Sequence, residues 1–226
     1  MVGTLVASSS PFIDWSWIAT NASVIAHAVA QHAELAGIAV GCGFAISLPT
    51  AMVAWRFHWT RSAILGFAGL LYTIPSLALF VLIQPLTGYF SLLTAEVALV
   101  GYTLLILIRN ILTGLDAATD EVREAATAMG FTPTGAMTRV YLPLALPSLF
   151  AGLRVATVTV VGLVTITAFM EWGGLGQLII YGFNNNFFYT PIIVGLVLSM
   201  LLAAIGDAAV VLLERMTVRW RRIESR

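Results

Sequence analysis

Apolar residues fall in five stretches, each about as long as one crossing of a lipid bilayer. A transmembrane α-helix needs roughly 20 consecutive, mostly apolar residues, and polar connections separate these five stretches. The pattern therefore predicts an all-α membrane protein with about five transmembrane helices. The predicted spans are 33–55, 62–83, 92–111, 147–170 and 191–213.

The stretch 11–32, which precedes the first span, mixes apolar and polar side chains. Trp15 and Trp17 suit the headgroup layer of a membrane, so we expect a helix that lies on or dips into the interface. The alternative is a sixth span over 13–30, which would bring several polar side chains into or near lipid. The first residues lack the basic region of a secretory signal peptide, so the spans themselves are expected to direct insertion.

Proline and glycine interrupt two of the spans. Proline removes a backbone hydrogen bond, so Pro75 predicts a kink in the second span, either within a packed bundle or beside a transport path. Gly37 and Gly41 in the first span are spaced for close helix contact, which we expect within the chain rather than between chains.

Every arginine lies on one side of the predicted topology. The segments 1–32, 84–91 and 171–190 carry none, and they share the other side. Basic residues stay on the cytoplasmic side, so the N terminus is expected outside and the C terminus in the cytoplasm. The arginines are Arg56, Arg61, Arg109, Arg123, Arg139, Arg154, Arg215, Arg219, Arg221, Arg222 and Arg226.

The composition agrees with a membrane protein. Hydrophobic residues make up 59% of the 226 residues and charged residues 10%, and the mean hydropathy is +0.94. A soluble domain has about 25% charged residues, so these values exclude a soluble enzyme and a free nucleic-acid-binding protein. The 11 basic residues are all arginine, and the formal net charge is +0.

The sequence contains no pattern of catalytic, cofactor-binding or metal-binding residues. A phosphate-binding loop, a zinc-protease motif and a nucleophile elbow are absent, and the histidines are not spaced as metal ligands. Cys42 is the single cysteine, and we expect a small buried apolar residue there. We therefore predict no catalytic, cofactor or metal site in this chain.

Asp207 is the clearest ionisable residue within a span. Charged groups are costly in lipid, so Asp207 predicts a polar contact, either in a permeation route or between packed helices. Glu96 and Glu171 border the outer face, where they form either an acidic entrance or solvated helix ends. The outer connection 171–190 is rich in glycine and aromatic residues and predicts a re-entrant or surface-lying segment.

The connection 112–146 predicts two short helices joined by a glycine. Thr119 or Asp120 can cap the first helix. Its apolar stripe consists of Val122, Ala125, Ala126 and Met129. Gly130 can end it in the left-handed conformation, and a second short helix follows before Pro143 and Pro147 turn the chain back into the membrane. Such a helix either binds a partner groove or lies on its own chain.

The same connection contains a motif of fixed spacing. Glu124-Ala125-Ala126 is followed by three residues, Gly130, nine residues and Val140-Tyr141-Leu142-Pro143. This resembles the EAA loop of bacterial ABC importer permeases, in which Ile stands where this chain has Val140. Over about residues 32–215, further strings resemble the osmoprotectant branch of that family. They are IPSLALF (74–80), RNILTG (109–114), EAATAMGFTP (124–133), LPLALPSLFAGLRVATV (142–158) and GGLGQLI (173–179).

The resemblance implies a MetI-like ABC permease fold with a cytoplasmic EAA coupling helix. It implies a subunit that imports glycine betaine, choline, carnitine or similar quaternary amines, without enzymatic activity or a cofactor of its own. A separate ATPase subunit would use the ATP. The implied ATPase-coupling residues are Glu124, Ala125, Ala126, Gly130, Leu142 and Pro143. Asp207 and Pro75 are candidates for pathway or packing roles.

The resemblance also implies partners and a location. The partners are ATPase subunits, a second permease chain (identical or homologous), an extracytoplasmic solute-binding protein and the bilayer of the bacterial plasma (inner) membrane, with no nucleic acid. The expected organisation is an extracytoplasmic or interfacial segment 1–31, a permease domain 32–215 with the coupling loop 113–146, and a basic cytoplasmic tail 216–226. The alternatives are a permease for an amino acid such as methionine or another small solute, and an ATP-independent channel or secondary transporter.

Overall fold

Helices make up almost all of the described chain. The computed structural model describes residues 12–89 and 91–218, and no β-strand occurs among them, as predicted. The helices are α1 (Trp15–Thr20), α2 (Ala22–Arg56), α3 (His58–Thr73), α4 (Ser76–Thr87), α5 (Leu92–Asp116), α6 (Asp120–Ala128), α7 (Pro133–Ala136), α8 (Leu142–Val164), α9 (Leu175–Asn184) and α10 (Tyr189–Thr217). A π-helical turn, Met137–Tyr141, joins α7 to α8, and a 3-10 turn, Ile166–Met170, follows α8.

Within the described ranges, four helical stretches are long and apolar enough to cross a membrane, and α3 with α4 forms a fifth when taken as one bent pair. Contacts with α5 show that this pair spans the same thickness as α5. Arg61, near the start of α3, pairs with Asp116 at the end of α5 at 2.7 Å. The Thr94 hydroxyl, near the start of α5, donates to the Gly88 carbonyl just after α4 at 2.8 Å. These contacts are about 33 Å apart along α5, so α3 and α4 form one broken crossing.

The break in the second crossing lies at Pro75. The backbone of Ile74 and Pro75 is extended, and α3 and α4 meet at 105°. The Ile74 carbonyl, which has no helical partner there, accepts a hydrogen bond from the Tyr102 hydroxyl of α5. The predicted kink is therefore present as a full break, stabilised by a neighbouring helix.

Helix α5 occupies the centre of the bundle. It packs against α2 and α8, and more lightly against α3 and α4, whereas α10 packs mainly against α8 and α9. Leu99 of α5 is buried with Leu35 of α2 and Val160 of α8 in one apolar cluster. Leu107, Ala51 and Leu149 of the same helices belong to a second cluster. Helices α2, α5 and α8 therefore form the core.

We call the end of the bundle where α2 and α5 end and α3 begins the arginine end. Described arginines at or beyond these helix ends are Arg56, Arg61, Arg123, Arg139 and Arg215. Arg109 and Arg154, by contrast, lie within α5 and α8, as they do within the predicted spans 92–111 and 147–170. The tail arginines Arg219, Arg221, Arg222 and Arg226 lie outside the described residues.

The first crossing begins earlier than predicted. Helix α2 is continuous over 35 residues, so residues 22–32 belong to the crossing helix and not to a separate interfacial helix. The described residues contain only the short α1 before it, and no sixth crossing. The predicted segment boundary at residue 31 falls within α2, and residues 1–11 lie outside the described part.

Distant polar partners explain why α2 can include polar residues. The side-chain oxygen of Gln31 accepts a hydrogen bond from the Gly174 amide at 3.2 Å. The Nε2 atom of the fully buried His32 lies 2.9 Å from the Val161 carbonyl oxygen. Both partners come from segments far along the chain, so the Gln31 side-chain oxygen and His32 Nε2 have polar partners within the protein.

The glycines and the cysteine of α2 differ from their predicted roles. A Cβ added to Gly37 or Gly41 would meet no atom within 4 Å, so these glycines do not mediate packing within the chain. Gly43 does so instead, because its Cα faces Thr103 of α5 directly. Cys42 is exposed and not buried.

The connection between α8 and α10, predicted on the outer side, forms a 3-10 turn and the helix α9, whose 10 residues are too few to cross a membrane. Leu175 and Leu178 of α9 are buried in a cluster with residues of α2 and α10. Gly182 and Gly195 let α9 and α10 approach closely. The predicted non-crossing segment is thus a short packed helix, and the fourth crossing helix ends at Val164, before the predicted position 170.

Candidate functional site

Helix α6 begins at residues suited to a helix N-terminus. Thr119 has an extended backbone at the N-cap, and Asp120 and Glu121 occupy the first turn, where the helix dipole favours anions. A side-chain hydrogen bond with Thr119 lowers the pKa of the Glu121 carboxyl below its usual value. This end of α6 therefore presents the ionised Glu121 carboxylate at the arginine end of the bundle.

Helix α6 ends at Ala128, and Gly130, two residues later, has φ +76°. The Phe131 amide donates to the Ala126 carbonyl at 3.1 Å, closing the last turn. A Cβ at Gly130 would meet no atom within 4 Å, so the backbone conformation, not lack of space, favours glycine. The predicted left-handed glycine is confirmed.

The predicted apolar stripe of α6 divides into two faces. Ala126 is buried and Val122 is half-buried, so this face lies against the protein. Glu124 and Ala125 are exposed, and Met129 is 67% exposed. An acidic side chain, a small one and a flexible apolar one are therefore available to a partner on the other face.

Arg123 holds α6 against the end of the first crossing. Its guanidinium lies over the Trp55 ring, 5.0 Å from the centroid, and its Nε donates to the Ala118 carbonyl at 3.1 Å. The Trp55 ring in turn lies 5.6 Å from the Tyr141 ring in the π-helical turn. These three residues were not predicted, although an arginine one residue before the EAA motif was a visible signal.

The second predicted short helix is instead the start of the fourth crossing. Thr132 caps it, accepting a hydrogen bond from the Gly135 amide at 3.2 Å, but the helix then continues through the π-helical turn into α8. Pro143 has no amide hydrogen and would clash with the carbonyl four residues earlier, which the wider turn accommodates. Pro143 and Pro147 therefore lie within a continuous helical stretch and do not turn the chain.

Small residues bring α5 and α8 together beneath α6. A Cβ at Gly114 would lie 2.7 Å from the Ala145 carbonyl oxygen, and a Cβ at Gly152 would lie 2.5 Å from the Asn110 Cβ. The Ser148 hydroxyl also donates to the Asn110 carbonyl at 2.8 Å. The two helices that flank the loop are therefore in backbone contact.

The predicted coupling residues occupy two places in the loop. Glu124, Ala125, Ala126 and Gly130 lie on α6 and at its end. Leu142 and Pro143, both half-buried, lie at the start of α8 beside the π-helical turn. The structure thus brings the first four together and places the last two on the other arm of the loop.

Asp207 forms an ion pair with a residue of another helix, which the sequence around Asp207 did not predict. Its Oδ1 lies 2.7 Å from Arg154 Nε and its Oδ2 lies 3.0 Å from Arg154 Nη2, so the pair is bidentate. The side chains remain 44% exposed for Arg154 and 30% for Asp207. The predicted polar contact is therefore a charge pair that links α8 to α10.

The two glutamates that were predicted at the outer face are separated by the fold. The carboxylate of Glu96 is buried and accepts no hydrogen bond from the described residues, so Glu96 is not a solvated helix end. Glu171 is exposed and has φ +66° at the end of the 3-10 turn. Across residues 12–89 and 91–218, no three His, Cys, Asp or Glu side chains are placed to hold a metal ion.

Comparison with known sequences gives consistent matches. Residues 37–219 match the family described as binding-protein-dependent transport system inner membrane component. The osmoprotectant import permease protein OsmW of Salmonella typhimurium is 36% identical over 191 residues, which cover 83% of this chain and 88% of OsmW. The glycine betaine/carnitine/choline transport system permease protein OpuCB of Bacillus subtilis is 32% identical over 202 residues, covering 88% and 91%.

Comparison with solved structures identifies the fold. A chain of the MetNI methionine ABC transporter, solved in inward-facing conformations, superposes with a TM-score of 0.76. The superposition covers 88% of this chain and 98% of that one, at 24% sequence identity. The predicted MetI-like fold is confirmed.

Proposed function

The chain belongs to the family of binding-protein-dependent transport system inner membrane components, and on that premise we propose that it is the permease subunit of an ABC importer for quaternary-amine osmoprotectants. Glycine betaine, choline and carnitine are the representative solutes. The proposal adds to the family assignment a solute class, a set of partners and a role for helix α6.

The observation that carries the proposal is the exposed face of α6. Glu124, Ala125 and Met129 project from a helix that is otherwise held against the bundle by Ala126 and Arg123. An amphipathic helix with such a face fits a groove on a partner protein. We assign that groove to a separate ATPase subunit, since this chain has no phosphate-binding loop.

The remaining coupling residues would pass the movement of the ATPase to the membrane helices. Gly130 joins α6 to the arm that contains Leu142 and Pro143, and this arm continues directly into α8. Because α8 contacts the backbone of α5 near Gly114, a displacement of α6 would move both helices together. Pro75 provides a break at which the second crossing can respond.

The arginine end is proposed to face the cytoplasm, where an ATPase can reach α6. The N terminus then lies outside and the C terminus inside a bacterial plasma membrane. The chain contributes no catalysis and no cofactor. A second permease chain, identical or homologous, completes the pathway, and an extracytoplasmic solute-binding protein delivers the solute.

Two observations favour osmoprotectants over an amino acid such as methionine. The relatives at 36% and 32% identity are named for osmoprotectant, glycine betaine, carnitine and choline transport. The methionine transporter matches at 24% identity, which supports the fold alone. The few charged residues within the crossings also argue against a gradient-driven secondary transporter.

The test is uptake by the purified complex. The chain is co-purified in mild detergent, its partners are identified by mass spectrometry, and the complex is reconstituted in liposomes with the solute-binding protein. Labelled glycine betaine and choline should enter only when ATP is present on the ATPase side, and labelled methionine should not. Uptake without any ATPase, or of methionine alone, would contradict the proposal.

A further inference from the structure

The Arg154–Asp207 ion pair lies inside the membrane-spanning part of the bundle. Asp207 is 10 residues before the end of α10 at Thr217, about 15 Å along the helix axis. This distance places the pair in the inner half of the crossing, away from the headgroups. Its partial exposure is therefore unexpected for a surface that meets hydrocarbon.

The exposed residues beside the pair form a continuous stripe on α8. We call Ala151, Val155, Val158 and Gly162 the α8 stripe; all four are exposed. Three residues of the stripe, Ala151, Val155 and Val158, border an open groove of about 470 Å³ together with Thr159, Arg154 and Asp207. In this groove, the Arg154–Asp207 pair and small apolar side chains of α8 lie at a similar depth in the membrane.

The α8 stripe points away from α2. Val160 and Val164, on the opposite side of α8, are buried in the same cluster as Leu35 of α2. Val158 is about 200° around the helix from Val160, as Gly162 is from Val164. Helix α2 therefore packs on the side of α8 opposite the stripe, and its Cys42 is exposed on a different helix.

We propose that the α8 stripe and the Arg154–Asp207 pair form the wall of a water-filled solute pathway, which a second permease chain closes from the opposite side. A charge pair exposed to lipid is costly, whereas water in a pathway solvates it at little cost. This inference rests on the proposed function and adds to it the face that the solute meets.

Within such a pathway, Arg154 determines how the wall acts on a cationic solute. The bidentate pair neutralises Asp207, so a quaternary ammonium group passes without meeting an uncompensated carboxylate. The open face of the carboxylate still offers a weak polar contact. Arg154 and Asp207 thus act together as specificity-determining residues for solutes of different net charge.

The first experiment measures which face of the chain meets water. Membrane vesicles containing the complete transporter are treated with a charged, membrane-impermeant methanethiosulfonate reagent. The wild-type chain has one cysteine, Cys42, and serves as the matched control for the α2 surface. A Val158→Cys variant made in a Cys42→Ser background should react at least about tenfold faster than Cys42, because thiolates form in water.

Two further cysteine variants make this experiment decisive. Val155→Cys replaces Val158→Cys if the latter does not assemble, and Ile46→Cys provides a second position on the α2 surface. Reaction of both stripe positions as slow as that of Cys42 would overturn the proposal, since the stripe would then face lipid or a dry protein contact. This result does not depend on which solute is carried.

The second experiment measures the ratio of choline to glycine betaine uptake. Choline has a net positive charge, whereas glycine betaine is a zwitterion. Asp207→Asn leaves an unpaired arginine and should lower the ratio about three- to tenfold, and Arg154→Gln should shift it in the opposite direction. The double variant has neither charge and should return the ratio towards wild type.

The uptake ratio separates a pathway role from a structural one. If the pair only joins α8 to α10, single variants would lower uptake of both solutes equally and leave the ratio unchanged, which would overturn the assignment of specificity. Wild-type vesicles that take up neither solute would contradict the proposed function, while the cysteine reactions would still test the pathway face.

Discussion

Helices α5 and α10 are both long, apolar crossings, but their surroundings differ. In the most apolar stretch of α5, 56% of the residues are buried within the chain, against 6% in α10. Helix α5 contacts α8 through glycines and backbone atoms, whereas α10 contacts α8 at Gly206 and through an ion pair. Apolar composition therefore predicts that a helix crosses the membrane, but not what surrounds it.

The difference separates two kinds of helix contact. The contact of α5 with α8 lies within one chain, and the loop that carries α6 joins these two helices. The α8–α10 contact lies at an open edge, where lipid, water or a second chain must complete the surroundings. We therefore expect substitutions on the α5 side to change stability, and substitutions on the α10 side to change transport or assembly.

The largest effect is expected from Gly114→Ala. The new Cβ would lie 2.7 Å from the Ala145 carbonyl oxygen, and neither backbone can move away cheaply. We expect the free energy of unfolding in detergent, measured by titration with denaturant, to fall by about 1–3 kcal/mol.

Gly206→Ala is the matched control on the α10 side. Its Cβ would lie 2.8 Å from the Thr157 Cγ2, a side-chain methyl that can rotate away. The loss should therefore be under about 1 kcal/mol. Equal losses for both variants would contradict the distinction between the two helix contacts.

The next effect concerns Gly130, which links α6 to the helical arm that leads into α8. Gly130 has φ +76°, which costs a residue with a side chain about 1–2 kcal/mol but which asparagine tolerates better. We expect Gly130→Val to reduce ATP-driven uptake strongly while insertion is retained, and Gly130→Asn to keep most of it. Normal uptake by the valine variant would mean that the left-handed conformation of Gly130 is not needed to transmit movement from α6 to α8.

A smaller effect is expected where α6 meets its partner. Glu124 is exposed, so Glu124→Lys should weaken binding of the ATPase about tenfold, measured by co-purification over a range of salt concentrations. Glu34→Lys is the control, because Glu34 is also exposed but lies on α2 far from the arginine end. Similar weakening by both variants would indicate a general charge effect and not a specific contact.

The regular features of the chain could be predicted from sequence because their causes are local. Span length, the position of the N-cap at Thr119 and the left-handed Gly130 each depend on a few adjacent residues, although the Thr119 side chain accepts no capping hydrogen bond. The irregular features depend on residues far apart in the chain. Gln31 and His32 of α2 find their partners Gly174 and Val161 in distant segments, and Arg154 pairs with Asp207 although 53 positions separate them.

The same division between local and long-range causes holds for the candidate site. The EAA motif located α6 and Gly130, but the π-helical turn and the contact of Trp55 with Arg123 and Tyr141 did not follow from spacing. Pro143 was interpreted as a turn because proline usually ends a helix, whereas a single wide turn accommodates it here. Packing partners, and not propensity, decided these cases.

The smallest effect tests whether α6 is energetically tied to the first crossing as well as to the α5–α8 unit. The Arg123 guanidinium lies 5.0 Å from the Trp55 ring centroid, a geometry worth about 0.5–1 kcal/mol at a partly exposed site. A double-mutant cycle with Arg123→Gln and Trp55→Leu should return a coupling energy of that size in the free energy of unfolding. A control cycle with Arg61→Gln and Trp55→Leu should show no coupling, because Arg61 pairs with Asp116 and not with Trp55. If the Arg123 cycle is also additive, α6 is attached through α5 and α8 alone, and α2 does not take part in transmitting its movement.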